Sequence, residues 1–131
     1  MEKATTREIV KEYHEHRSGG AFSLVSALLA KDFSFASPLM RFNSAKEHVA
    51  ALVDFHQIVV GYDMISELYG DGEATLVYDL RTATPVGTQR TAEYFRLSRD
   101  KIESIILIFD ATPWRPIMEA LTQSRTSPFI E

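Results

Sequence analysis

A chain of 131 residues is the size of one domain and can bury roughly two-thirds of its unfolded surface. Its 45% hydrophobic and 24% charged residues are a globular composition, and a net charge of -4 without any Lys/Arg cluster gives nucleic-acid phosphates no footprint. The absence of cysteine excludes disulfides, thiolate metal sites and cysteine nucleophiles. The opening MEKATTREIVKEYHEHR is too charged for a signal peptide, and no apolar run approaches the ~20 residues of a membrane helix, so a soluble cytoplasmic protein is expected.

Thr5 or Thr6 can cap a first helix whose buried stripe is Ile9, Val10, Tyr13 and Arg17, and Ser18-Gly19-Gly20 ends it. A second short helix would bury Phe22, Val25, Leu28 and Leu29. Residues 32–38 (DFSFASP) alternate like a strand closed by Pro38. Ser44 with Glu47 makes a capping-box pattern before a third helix, AKEHVAALVDFHQIV, with the stripe Val49, Leu52, Val53 and His56. After Gly61 the period changes from that of a helix to that of a strand. Four strand-like runs follow, Tyr62–Tyr69, Glu73–Thr84, Thr88–Ser98 and Lys101–Asp110, separated by short polar turns that predict antiparallel hairpins. A terminal helix is expected over Trp114–Thr122. Helices first and strands second is the α+β pattern, in one domain spanning 1–131. In KIESIILIFD, Ile105, Leu107 and Phe109 face one way and Ile102, Ile106 and Ile108 the other, so both faces need cover. The helices supply one cover, and a homodimer through the sheet face is expected to supply the other.

This element order, with Tyr13 ahead of the Gly19-Gly20 pair, Ser37-Pro38 after the second helix, and the run AEYFRLSRDKIESIILIFD, resembles the SnoaL-like part of the nuclear transport factor 2-like (NTF2-like) superfamily, from about Thr5 to Leu121. The resemblance implies a cystatin-like architecture. Three N-terminal helices would pack on a strongly curved, mainly antiparallel sheet to form a cone with an internal ligand-binding pocket. It also implies a range of activities, from ketosteroid isomerases, polyketide cyclases, dehydratases and epoxide hydrolases to pocketed proteins without known chemistry. Fold alone does not choose among them.

Glu93 stands on a strand face otherwise made of Phe95 and Leu97, where a carboxylate must be protonated, paired or beside a cavity. The matching position of the isomerases holds a protonated acid that bonds the substrate oxygen. The bland alternative is a wet rim, or an ion pair with Arg81 or Arg96. Tyr13 falls where those isomerases carry the tyrosine of the same oxyanion hole, against the plainer reading of a packed phenol. His56 is read as the only ionisable group on the inner stripe of the third helix, either an acid–base residue or a satisfied core histidine. His48 is read as one position off that stripe and solvated. Tyr13, Glu93 and His56 are therefore the catalytic candidates, with Phe35, Ser37, Leu52, Phe95, Leu107 and Phe109 lining the pocket. Ser37 stands where the isomerases place their proton-moving aspartate, and serine has no useful basicity near neutrality. Asp79 and Arg81 share a strand face and suggest either water activation, as in the hydrolases, or a surface ion pair. Asp110 can cap the turn into Thr112-Pro113.

No cofactor is expected, and no metal, since His14 and His16 lie two apart on a helix and do not share a face. The expected partner is a small hydrophobic molecule. The reading is a SnoaL-like small-molecule-binding protein, with cofactor-independent isomerase, cyclase or dehydratase chemistry as its enzymatic form. The alternatives are a non-catalytic ligand-binding or dimerisation module and, more remotely, an epoxide-hydrolase-like enzyme.

Overall fold

The computed structural model describes residues 5–126, so both ends of the 1–131 span lie outside it. The chain runs α1 (Thr6–Gly19), α2 (Phe22–Ala27), β1 (Leu29–Ala36), β2 (Arg41–Phe42), α3 (Ala45–His56), β3 (Val59–Tyr69), β4 (Glu73–Thr82), β5 (Thr88–Ser98), β6 (Lys101–Ile108), a 3-10 turn η1 (Thr112–Trp114) and α4 (Arg115–Thr126). One six-stranded sheet has the order β2-β1-β6-β5-β4-β3, antiparallel throughout except for the parallel β1–β6 pair. The architecture is α+β, with helices packed on a curved mixed sheet.

Local chemistry sets the helix limits. The Thr5 hydroxyl accepts from the Glu8 amide at 3.1 Å while Glu8 accepts from the Thr5 amide at 2.7 Å, a reciprocal capping box. Gly20, at φ 77°, closes α1 in the left-handed region that favours glycine. Ser44 caps α3 through the Glu47 amide. Arg99 and Asp100 both have positive φ, which gives the β5–β6 hairpin a tight turn matched to sheet twist.

The core lies between the helices and the inner face of β4, β5 and β6. Ile9, Val10, Tyr13 and Arg17 are the buried residues of α1, and Ala74, Leu76, Tyr78, Leu80 and Thr82 alternate inward along β4. Two expectations need correction. Leu28 and Leu29 do not continue α2, because β1 begins at Leu29 and pairs there with Ile102. Ile102 does not share the outer face with Ile106 and Ile108. An extra residue in β6 opposite Arg96–Leu97 makes a bulge, and the bulge turns Ile102 inward beside Ile105.

Candidate functional site: a buried polar centre under the first helix

Alternation along β5 turns Gln89, Thr91, Glu93 and Phe95 toward the helices, all of them buried. Three consecutive inward positions are thus polar. Glu93 is 1% exposed, and α1 sets Arg17 against it, with Nη1 donating to Glu93 Oε2 at 2.7 Å. The Tyr78 hydroxyl donates to Glu93 Oε1 at 3.0 Å from the neighbouring strand. Both carboxylate oxygens are therefore engaged, and the geometry is that of an ion pair. Of the readings open at this position, the protonated acid and the paired carboxylate, the structure takes the salt bridge. Its partner is Arg17, from α1, and neither Arg81 nor Arg96.

Arg17 is itself enclosed. Its guanidinium lies over the rings of Tyr13, Tyr62 and Tyr78 at 4.9, 5.1 and 5.6 Å. Burial opposes its charge, but Glu93 and the surrounding tyrosines outweigh burial and hold its pKa well above the ordinary value. Arg17 Nη2 meets His14 Nδ1 at 2.9 Å. A guanidinium can only donate, so Nδ1 carries the lone pair and His14 is neutral. Burial, then the Arg17 charge, lower the His14 pKa to about 4. Arg17 Nε has no partner and is buried.

Tyr13 does not reach for Glu93. Its hydroxyl lies 2.8 Å from His48 Nε2, and its ring meets Phe95 edge-on at 5.6 Å. His48 is 3% exposed, enclosed by Phe33, Phe35 and Phe42. The solvated position expected for it is wrong. Ala45, His48, Val49 and Leu52 form the inward stripe of α3, whereas Val53 is exposed. Burial lowers the His48 pKa to about 4 and raises that of Tyr13 above its ordinary value. With Tyr13 O–H donating to Nε2, the one group left over is His48 Nδ1–H, buried without a partner.

His56 is not the only ionisable group on that face, nor does it join the others. It lies two turns beyond His48, about 12 Å along the helix axis. There it packs on Phe22 at 5.4 Å and over Gly20. Ser37 is consumed by its own turn, where its hydroxyl accepts from the Leu39 and Met40 amides. Asp79 and Arg81 lie on the outer face of β4 and do not pair with each other. Asp79 binds Arg90 at 2.8 Å and Arg81 binds Asp63 at 2.9 Å. Asp110 accepts from the Thr112 amide and caps the turn into η1.

The expected apolar lining is present as packing. Tyr13, Phe33 and Phe95 have zero exposure, so no void beside them admits a water molecule, and Phe35 and Leu52 pack against that core. Leu107 pairs across from Glu93, and it and Phe109 are half-buried. Among the described residues, one concavity open to solvent lies elsewhere, a groove of about 380 Å³ between Arg7 and Met64, Ile65, Ser66, Glu67 and Tyr69. Among the described residues no group of three or more His, Asp or Glu could hold a metal ion, and no helix is long and apolar enough to cross a membrane.

Comparison of the backbone with solved structures decides the fold. A Kribbella flavida protein is 26% identical with a TM-score of 0.76, over 88% of this chain and 94% of that one. An NTF2-like protein of Cytophaga hutchinsonii is 18% identical with a TM-score of 0.76, over 87% and 98%. The chain has the NTF2-like fold. A second Kribbella flavida protein with this fold, a candidate ketosteroid isomerase by name, is 16% identical with a TM-score of 0.67, over 80% and 77%. No family profile and no curated protein sequence matches the chain. Sequence reasoning missed Arg17, His14, His48, Tyr62 and Tyr78 as site residues. Arg17 and Tyr78 were both signalled, the first by its place on the α1 stripe and the second by alternation between Leu76 and Leu80.

Proposed function

We propose that this NTF2-like protein binds a small, largely apolar molecule bearing a carboxylate or other anionic oxygen, held by Arg17 beneath α1. The observation that carries the reading is the buried Arg17 itself, ion-paired to Glu93 yet left with an unpartnered Nε–H. A buried ion pair is a poor means of stabilising a core, since well-packed apolar residues do as well or better. Buried donors with unused hydrogen-bonding capacity suit recognition of an oxygen. Side chains fill the space around Tyr13, Phe33 and Phe95 in the present state, so binding beside Arg17 requires α1 and α3 to move away from the sheet. Benzoate is a suitable probe. It should raise the melting temperature of the wild type in a saturable way and leave the Arg17→Met/Glu93→Leu double variant unaffected. Equal stabilisation of both proteins would refute the reading.

The Tyr13–His48 hydrogen bond favours a second reading, proton-transfer chemistry of the isomerase, cyclase or dehydratase kind. Against it, burial lowers the His48 pKa to about 4 and makes it a weak base, its Nε2 is already engaged by the Tyr13 hydroxyl, and Ser37 supplies no base. Binding without covalent chemistry is the better account.

The outer face of the sheet supports association with a second copy of the chain. Register aligns Leu68, Thr75, Tyr94 and Ile106 in one row and Ser66, Val77, Ala92 and Ile108 in the next. Leu68, Ile106 and Ile108 are exposed at 64%, 44% and 58%. Most charges on this face are paired within it as Asp63–Arg81, Asp79–Arg90 and Arg96–Glu103, and Glu73 accepts from the Tyr94 hydroxyl, so little net charge opposes contact with a second copy. Four strands of about ten residues cover roughly 600 Å², near the ~800 Å² per partner of a standard interface. Sedimentation at tens of micromolar should show a dimer, and Ile108→Glu a monomer. A monomeric wild type would end this reading.

A further inference from the structure

The inward polar row of β5 ends at Gln89, and Trp114 sits on that end. Trp114 is 6% exposed, its indole Nε1–H donates to Gln89 Oε1 at 2.5 Å, and its ring lies 6.0 Å from that of Phe55 at the end of α3. Gln89 is 7% exposed and gives its own amide N–H to the Arg90 carbonyl, so the oxygen is the group it turns to the indole. The residues on either side of Trp114, namely Thr112, Pro113, Arg115 and Pro116, are exposed. The segment joins no strand, and the indole, with the small Ala111 ahead of it, is what buries it. We propose that the seat between Gln89 and Phe55 is a ligand subsite for a planar ring carrying an N–H or O–H donor, which Trp114 occupies until such a ring displaces it.

Three features support the assignment. A structural plug over an apolar end would need no hydrogen bond, and a leucine or phenylalanine would seal it. Here the floor is a buried amide acceptor that cannot be left unpaired without cost, so whatever replaces the indole must donate to it. The wall is aromatic, which selects a flat ring. The seat also lies on the same inward row of β5 as the centre described above. Gln89, Thr91 and Glu93 face inward at alternate positions, placing Gln89 about 13 Å along the strand from Glu93. This inference rests on the reading of Arg17 and Glu93 as a binding centre, and adds to it the class of group recognised at the far end.

The chain has one tryptophan, so 5-fluorotryptophan labelling gives a single fluorine resonance that reports Trp114 alone. Titration of the labelled wild type with indole should move that resonance saturably toward its solvent-exposed position. 1-Methylindole, the same ring without the donor, should need at least tenfold higher concentration, the loss expected for one hydrogen bond. Gln89→Leu should bring the two compounds to parity, and Gln89→Met serves the same purpose if the leucine variant does not fold. A resonance unmoved up to the solubility limit of indole, or an equal response to the two compounds in the wild type, would overturn the subsite. Repeating the titration in Arg17→Met/Glu93→Leu separates the two claims. Displacement by indole there shows the seat working without the ion-pair centre, whereas benzoate binding unaffected by that variant sinks the functional reading and leaves the subsite standing.

Discussion

The two faces of β4 and β5 carry the same chemistry in opposite surroundings. On the inner face Glu93 meets Arg17 with side-chain exposures of 2% and 5%. On the outer face Asp79 meets Arg90 at nearly the same distance, but the arginine is 72% exposed. Water and salt screen the outer pair, and its members lose little if separated. The inner pair has given up its hydration and depends on its partner, so breaking it leaves an uncompensated charge. A contact distance alone would not distinguish the two; burial does.

The largest expected effect tests the inner pair. Glu93→Gln keeps the side-chain shape but leaves the Arg17 cation, which cannot shed its proton, without a counter-charge. We expect a loss of about 3–5 kcal/mol in urea unfolding. Arg17→Met/Glu93→Leu should be clearly more stable than Glu93→Gln. If the double variant were the weaker, the pair would be a net stabiliser and the contrast between the faces would narrow.

Acidification comes next. His48 is held neutral in the fold, with its pKa at about 4 against 6.5 for a free histidine, so between those values the unfolded chain binds the additional proton. Stability is therefore fully present above about pH 6.5 and lost as pH falls toward 4, by about 3 kcal/mol from this residue. His14 is lowered to about 4 as well and adds a slope of the same sign over the same window. His48→Leu should flatten the slope of melting temperature over that window. An unchanged slope would place the titration elsewhere.

Tyr13→Phe removes the partner of His48 Nε2 and leaves both ring nitrogens unpaired, for an expected loss of about 1–3 kcal/mol. The smallest effect belongs to the outer face, where Asp79→Asn should leave the unfolding midpoint unchanged within error. A midpoint shift matching that of Glu93→Gln would erase the distinction between the faces.

Residue by residue, what the sequence revealed depended on distance along the chain. The α1 stripe of Ile9, Val10, Tyr13 and Arg17 could be read from helical spacing alone, as could the inward turn of Glu93 with Phe95 from strand alternation. His48 was misplaced because the stripe was drawn through Val49, Leu52, Val53 and His56, whereas spacing from Ala45 and Leu52 puts His48 on it and leaves Val53 outside. Ile102 was misplaced because strict alternation does not foresee a bulge.

By itself, then, the sequence determined the quantities set within a turn or a hairpin: a cap at Thr5 or Thr6, the Ser44 cap, the Gly20 stop, the order of helices and strands, and most inward faces. Tertiary structure alone decided that Arg17 and Glu93, 76 positions apart, would meet. It also decided that Trp114 would close over Gln89 and that side chains would fill the space around Tyr13, Phe33 and Phe95. The physical reason is that capping and periodicity act through neighbours on the chain, while pairing and filling depend on where distant elements come to rest.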